Sequence, residues 1–363
     1  MQNHLLLACA LAALPLPLPQ TPTQAPAQPA AKTQQASPQA ATYPPGIPKE
    51  LFDIDRVVDG DTIWVQYHGA LTKLRLLCVD TEEKLSVNTG SDSKPGTVYG
   101  EACAKWAQEF FAASAKDEKK PQVGLYFPEG REQLDIYGRL LCHVMLPDGR
   151  DFNLLLVEEG KSPYFNKYGN SPVAHELFVA AQAHAQAIKK GIWDPSTNVP
   201  KTEGAPSARR PYDKLLPWWN ARALAIDSFR ERERKEPKLV ADAENPASLK
   251  AAVERGGEVD VFGTIDQRFD EKNGDWTLLM RCEDKKSALR VHIAADKRAL
   301  FEKLDLAHLN DEYRQNYFWV NGKLKAGGRG LELEATDPAQ LRIATPDPAG
   351  SVAKPVPASV GGK

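Results

Sequence analysis

Residues 52–79, FDIDRVVDGDTIWVQYHGALTKLRLLCV, decide the fold. Phe52 to Val58 alternates apolar and polar side chains, as a half-buried strand does. Asp59-Gly60 is a turn signal. Thr62 to Tyr67 is rich in β-branched and aromatic residues and reads as a second strand. His68-Gly69-Ala70 marks another turn, and Lys73 to Val79 a third strand. The stretch is a three-stranded meander.

Working outward, a polar loop covers Lys84 to Val98. Glu101 to Ala115 has helical spacing, with Ala102, Trp106, Phe110 and Phe111 as its apolar face. Val123–Phe127 and Leu140–Leu146 read as strands, the second entered through the turn Asp135–Arg139. Phe152–Glu159 is a short helix stopped by Gly160, and Val173–Lys190 a longer one stopped by Gly191, the residue type favoured just past a helix end. Three strands, a helix, two strands and closing helices predict an α+β protein. Its nucleus is a small five-stranded barrel of the oligonucleotide-binding (OB) class, over residues 50–195, with helices packed at one end.

Beyond it, Lys201–Pro211 reads as a linker and Tyr212–Arg234 as a helix carrying Trp218 and Trp219, within an inter-domain stretch 196–250. Glu258–Ile265, Trp276–Arg281, Ala288–Ile293, a helix over Asp296–Leu304, and a closing hairpin of Tyr317–Leu324 with Leu331–Glu334 predict a second OB-like barrel within 255–345. Phe262, Trp276 and Trp319 there are either core residues or base-stacking platforms, and the core reading is favoured.

The ends are different in kind. Leu5–Leu14 is apolar and far too short to span a membrane, and resembles the core of a secretory signal in residues 1–20, although Met1–His4 lacks Lys and Arg. Leu6-Leu7-Ala8-Cys9 also resembles a lipobox, which would make Cys9 a lipid anchor. Residues 21–48 are rich in Pro, Ala, Gln and Thr and read as a disordered tether; 346–363 read as a similar tail. The expected location is outside the cytoplasm of a bacterium, secreted or in the envelope.

The 363 residues carry a net charge of −2, which gives no global hint of a polyanion partner. Residues 50–195 hold 16 Lys+Arg against 22 Asp+Glu, so a polyanion would need a bound cation and a local Arg cluster. Five cysteines (Cys9, Cys78, Cys103, Cys142, Cys282) exclude a disulfide-built scaffold at this length; Cys78 and Cys142 read as buried thiols. His68, His143, His175 and His184 show no metal-ligand spacing.

Four motifs carry chemistry: Asp59-Gly60-Asp61-Thr62, Arg75–Glu83, Asp135–Arg139, and Gly191-Ile192-Trp193. Phosphodiester hydrolysis must neutralise added charge on phosphorus and make water nucleophilic. Hard oxygen ligands from Asp61, Asp80 and the Thr81 carbonyl suit a divalent cation, and like carboxylates held together call for one. Arg75 and Arg139 offer guanidinium forks for phosphate. Glu83 has the reach of a general base on water. An inert alternative remains, in which Arg75 and Asp80 pair only to hold the fold.

In this order and spacing the four motifs closely resemble the staphylococcal nuclease family, from about Asp53 to Pro195. The resemblance implies a calcium-dependent nuclease that cleaves DNA and RNA with little sequence specificity and leaves 3′-phosphate ends. It implies Asp61, Asp80 and Thr81 as Ca²⁺ ligands, and Arg75, Glu83 and Arg139 as catalytic residues. Tyr137 and Tyr164 are implied as nucleotide contacts. No obligate protein partner is implied. One position departs: the family usually has Pro where Glu82 stands. Glu82 either faces solvent harmlessly, the favoured reading, or shares the base or ligand role. The competing function is a scaffold built on the same fold, which would lack the Arg or Glu positions kept here.

Overall fold

The computed structural model describes residues 43–87, 91, 93–115, 120–135, 137–199, 208–304, 306 and 317–345. The expected signal segment with Cys9, most of the tether and the 346–363 tail lie outside the described residues.

The meander forms as expected: β1 (Phe52–Val57), β2 (Thr62–Tyr67) and β3 (Ala70–Leu76). Two short strands, β4 (Glu83–Lys84) and β5 (Gly96–Thr97), pair in parallel and lead into α1 (Val98–Ser114). Then come β6 (Gln122–Tyr126), β7 (Leu140–Met145), α2 (Phe152–Glu158) and α3 (His175–Ala187). The barrel closes in the order β1-β2-β3-β7-β6, with β3 parallel to β7 and the other pairs antiparallel. Closure removes the free sheet edges. Ile63, Val65, Leu74, Leu76, Val123, Leu140 and Val144 fill it, and Phe111 and Phe152 join the same core from α1 and α2. The third strand stops at Leu76, three residues short of the expected Val79, because Cys78 takes a left-handed conformation (φ 65°) that turns the chain.

The N-terminal tether also ends sooner than expected. Tyr43 is buried, and its hydroxyl donates to Asp151 Oδ2 at 2.5 Å beside His143, whose Nδ1 lies 3.0 Å from the same oxygen. Residues 43–48 are therefore part of the folded domain. His143 lies in a barrel strand, fully buried, and its contacts with Tyr43 and Asp151 are structural. Cys78, Cys103, Cys142 and Cys282 are free thiols.

Helix α4 (Tyr212–Lys235) runs on into β8 (Val240–Asp242), α5 (Pro246–Arg255), β9 (Glu258–Asp270), β10 (Trp276–Met280), β11 (Leu289–Ile293), the short α6 (Arg298–Phe301), β12 (Tyr317–Lys323), β13 (Lys325–Gly327), β14 (Gly330–Glu334) and β15 (Leu341–Ile343). These strands form one sheet, β13-β14-β11-β10-β9-β12-β15, with β8 beside β9. The β9-β10-β11-β14 pairings, including the parallel last pair, repeat those of the first barrel. Closure differs. The expected hairpin of β12 with β14 is absent among the described residues: β12 pairs with β9 and β15 instead. The second sheet is OB-like in order and open in closure. Its aromatics are packing residues, not platforms: Phe262 stacks between Phe229 and Tyr317, and Trp276 lies between the guanidinium groups of Arg268 and Arg298. Among the described residues, no helix is long and apolar enough to cross a membrane.

Candidate nuclease site

The acids converge at one rim of the barrel. Asp61 follows the β1–β2 turn, and its Oδ2 accepts from the Thr81 backbone N–H (2.8 Å) and the Thr81 hydroxyl (3.1 Å). Arg75 is held rigidly near the end of β3. It bonds Asp61 through one amino group and Asp80 Oδ1 through the other, the latter at 2.7 Å. The Cys78 turn delivers Asp80, whose N–H donates to Ser162 Oγ at 2.8 Å. Lys94 bridges Asp80 Oδ1 and Glu83 Oε1, each at 2.8 Å. Asp61, Thr81, Arg75, Asp80, Lys94 and Glu83 thus form one connected group.

Glu83 is placed by its backbone. Gly100, in the first turn of α1, lies so close to this segment that a Cβ there would stand 2.0 Å from the Glu83 carbonyl oxygen. Only glycine lets α1 press onto the loop.

Arg139 stands one residue before β7. In the parallel register Arg75 faces Leu141 and Leu74 faces Leu140, so Arg139 lies two rows from Arg75 on the same outward face. Its guanidinium bonds Asp135 (Nε at 2.7 Å) and sits 5.4 Å from the exposed Tyr137 ring. Tyr164 is placed differently from Tyr137. It is buried, stacked on Phe178, and its hydroxyl accepts from the Ser171 N–H and meets His175 Nδ1. Its ring belongs to the core and not to a nucleotide-binding face. Tyr168, four residues on, is the exposed aromatic of that loop.

Glu82 overturns its expected place. It is buried, not solvent-facing, and among the described residues its hydrogen bonds go to Thr97, Asn198 and Tyr212 rather than to the acids and arginine of the rim. Thr97 Oγ1 donates to it at 2.5 Å, Asn198 Nδ2 at 2.8 Å and the Tyr212 hydroxyl at 3.2 Å. Where the family has Pro, this chain has an anchor joining the loop to the segments after the barrel.

Sequence reasoning missed Arg210 entirely. It sits just before α4, buried, donating to the Ser93 carbonyl (3.1 Å), the Asp80 carbonyl (3.1 Å) and Asp80 Oδ2 (2.5 Å). The rings of Trp219 and Tyr212 flank it at 5.2 and 5.7 Å. Nothing in the linker-like run Lys201–Pro211 signals this contact.

The electrostatics follow. Burial pushes Asp61 upward, but Arg75 and Lys94 outweigh it and hold its carboxyl below the usual range. Asp80, also buried, is held well below by Arg210, Lys94 and Arg75 together. Asp59 differs. Burial, with Asp61 beside it, raises its carboxyl to about 7.

Two buried carboxylates and a neighbouring carbonyl are donors of the kind a hard divalent cation takes. Among the described residues, however, no three His, Cys, Asp or Glu side chains close on a shared point. Arg75 and Lys94 stand between the acids.

Asp61, Asp80 and Glu83 thus stand with Arg75 at one rim of a five-stranded OB barrel. In comparison with known proteins, the staphylococcal nuclease homologue family matches residues 73–195. Thermonuclease of Staphylococcus hyicus is 34% identical over 146 residues, covering 40% of this chain and 76% of that protein. The SPbeta prophage-derived endonuclease YokF of Bacillus subtilis (strain 168) is 33% identical over 147 residues, and Endonuclease YhcR of the same organism is 32% identical over 152. The matches cover 45% of YokF and 12% of YhcR, so this chain spans less than half the length of either relative. The chain belongs to the staphylococcal nuclease family.

Proposed function

We propose that the protein is a calcium-dependent nuclease that hydrolyses phosphodiester bonds of DNA and RNA with little sequence preference, leaves 3′-phosphate ends and acts outside the cytoplasm. The observation that carries this reading is the convergence of Asp61, Asp80 and Glu83 with Arg75 at one rim, with Arg139 two rows away. Asp61, Asp80 and the Thr81 carbonyl would hold the cation, which when bound supplies positive charge against the phosphate and its attacking water. Arg75 and Arg139 receive the phosphate oxygens in fork geometry and neutralise charge gained in the transition state. Glu83 takes the proton from water once Lys94 moves aside. Tyr137 stacks against the substrate beside Arg139, which favours breadth over sequence choice because every base has a π-face. Thermonuclease and the two endonucleases named above support the activity by their names, and the apolar N-terminal run supports export.

A scaffold role is the second reading, favoured by one observation: both Asp80 side-chain oxygens already bond the chain's own cations. Incubating the full chain with Ca²⁺ and single-stranded DNA, double-stranded DNA and RNA separates the two. The nuclease reading expects cleavage of all three and 3′-phosphate ends on the products. No cleavage of any substrate leaves the scaffold reading.

A further inference from the structure

Asp80 stands at the centre of the cation site in the proposed function, yet the group that grips it most completely comes from outside the family match. Arg210 lies 15 residues past Pro195, the last matched position, and reaches back 130 residues in sequence. It takes Asp80 Oδ2, the Asp80 carbonyl and the Ser93 carbonyl at once. Arg75 and Lys94 take Oδ1. Asp61, Asp80 and Glu83 are each ion-paired with one or more of Arg75, Lys94 and Arg210, with Asp59 and Glu82 as further acids nearby. A divalent cation at Asp80 would stand against three resident cations in a buried setting, where like charges repel strongly.

Arg210 is not loosely placed. Trp219 and Tyr212 wall it in, and Tyr212 bonds Glu82. Helix α4 continues the attachment through Asn220 to Asn166 (2.8 Å), Asp227 to Asn170 (2.6 Å) and Arg230 to the Asn170 carbonyl (3.1 Å). Withdrawing Arg210 from Asp80 therefore disturbs its packing against Tyr212 and Trp219 in the N-terminal part of α4.

We infer that Arg210 is a positioning residue of the nuclease site that competes with the divalent cation for Asp80, so that cation binding and docking of residues 208–212 oppose each other. The inference rests on the proposed cation site at Asp61 and Asp80. Linkage makes the opposition reciprocal: whatever Arg210 costs the cation in affinity, the bound cation costs the docked segment in stability. Glu82, replacing the family Pro, keeps the segment nearby through Tyr212 when Arg210 lets go.

The test measures Ca²⁺ binding by calorimetry to the full chain and to Arg210→Met, which has a similar stem and no charge. Amide hydrogen exchange of the wild-type chain with and without Ca²⁺ is the second readout. Arg210→Met is expected to bind Ca²⁺ about tenfold more tightly, within the range of typical site-to-site coupling. Ca²⁺ is expected to speed exchange at the start of α4 in the wild type. Equal or weaker affinity in a folded variant, or unchanged exchange on a wild type that binds Ca²⁺, overturns the inference and leaves the cation site standing. Failure of both proteins to bind Ca²⁺ overturns both readings together. Should Arg210→Met not fold, the wild-type exchange experiment decides alone.

Discussion

Arg139→Ala separates catalysis from folding more cleanly than any other change at the rim. The guanidinium is about a quarter exposed and bonds only Asp135 among the described side chains, with Tyr137 alongside. Asp135 keeps its partners without it, because the backbone N–H groups of Tyr137 and residue 139 both donate to Oδ1 at 2.9 Å. The stability cost is that of a partly buried i,i+4 ion pair, about 0.5–1 kcal/mol. In a chain of this size that lowers the melting temperature by roughly 1–4 °C. The loss at the transition state is much larger. Removing one preorganised donor to developing charge costs about 2.7–4 kcal/mol of barrier, or roughly 10²–10³ in kcat. Initial rates on a fluorogenic single-stranded oligonucleotide with Ca²⁺, next to a circular-dichroism melt, give both numbers. A folded variant with near-wild-type turnover would show that Arg139 does not hold the phosphate. A melt that collapses would show that its role is structural.

Three further outcomes follow from particular contacts. Glu82→Pro restores the usual family residue but removes an acceptor of three hydrogen bonds from Thr97, Asn198 and Tyr212; the unfolding free energy should drop by about 3 kcal/mol in urea titration, and an unchanged midpoint would contradict the anchor. Burial alone would lower the His143 imidazole, but Asp151 beside it prevails and pushes it from 6.5 up to about 10, so its pairing adds stability that is full below about pH 6.5 and is lost as pH rises through about 10. Unfolding free energy should fall across that window in the wild type and less in His143→Gln; equal slopes would remove the charged pair from the account. Gly100→Ala drives a Cβ into the Glu83 carbonyl and should lower both melting temperature and kcat, whereas an active, stable variant would mean the α1–loop contact is looser than described.

The barrel was legible because its signals are local. Period-two alternation marks β1 and β2, turn residues punctuate them, and Gly160 stops α2 where expected; α3 instead ends at Ala187, short of the expected Lys190, with Lys189 in the left-handed conformation (φ 53°) just past its end. That Asp61, Arg75 and Asp80 lie together was legible as well, since the β2–β3 hairpin and the turn after β3 bring these positions to one rim. Arg210 was not, because it sits in a Pro- and Ala-containing run without periodicity, and its partner is 130 residues away. Glu82 misled for a related reason: an acid in a polar loop reads as solvated unless its buried donors are known. Tyr164 and Tyr168 share one irregular loop, where no spacing rule tells a core ring from an exposed one. In the second sheet the strands were legible and their pairing was not, since the choice of β11 over β12 as the partner of β14 is made by tertiary packing.

The central claim is that these acids and arginines do their chemistry with a divalent ion at the barrel rim. The most direct measurement is the rate of DNA cleavage by the full chain as Ca²⁺ is titrated in and then removed with a chelator. The account predicts a saturable rise with Ca²⁺, loss of cleavage on chelation, and no rise in Asp61→Asn. Cleavage that continues undiminished in chelator would contradict it.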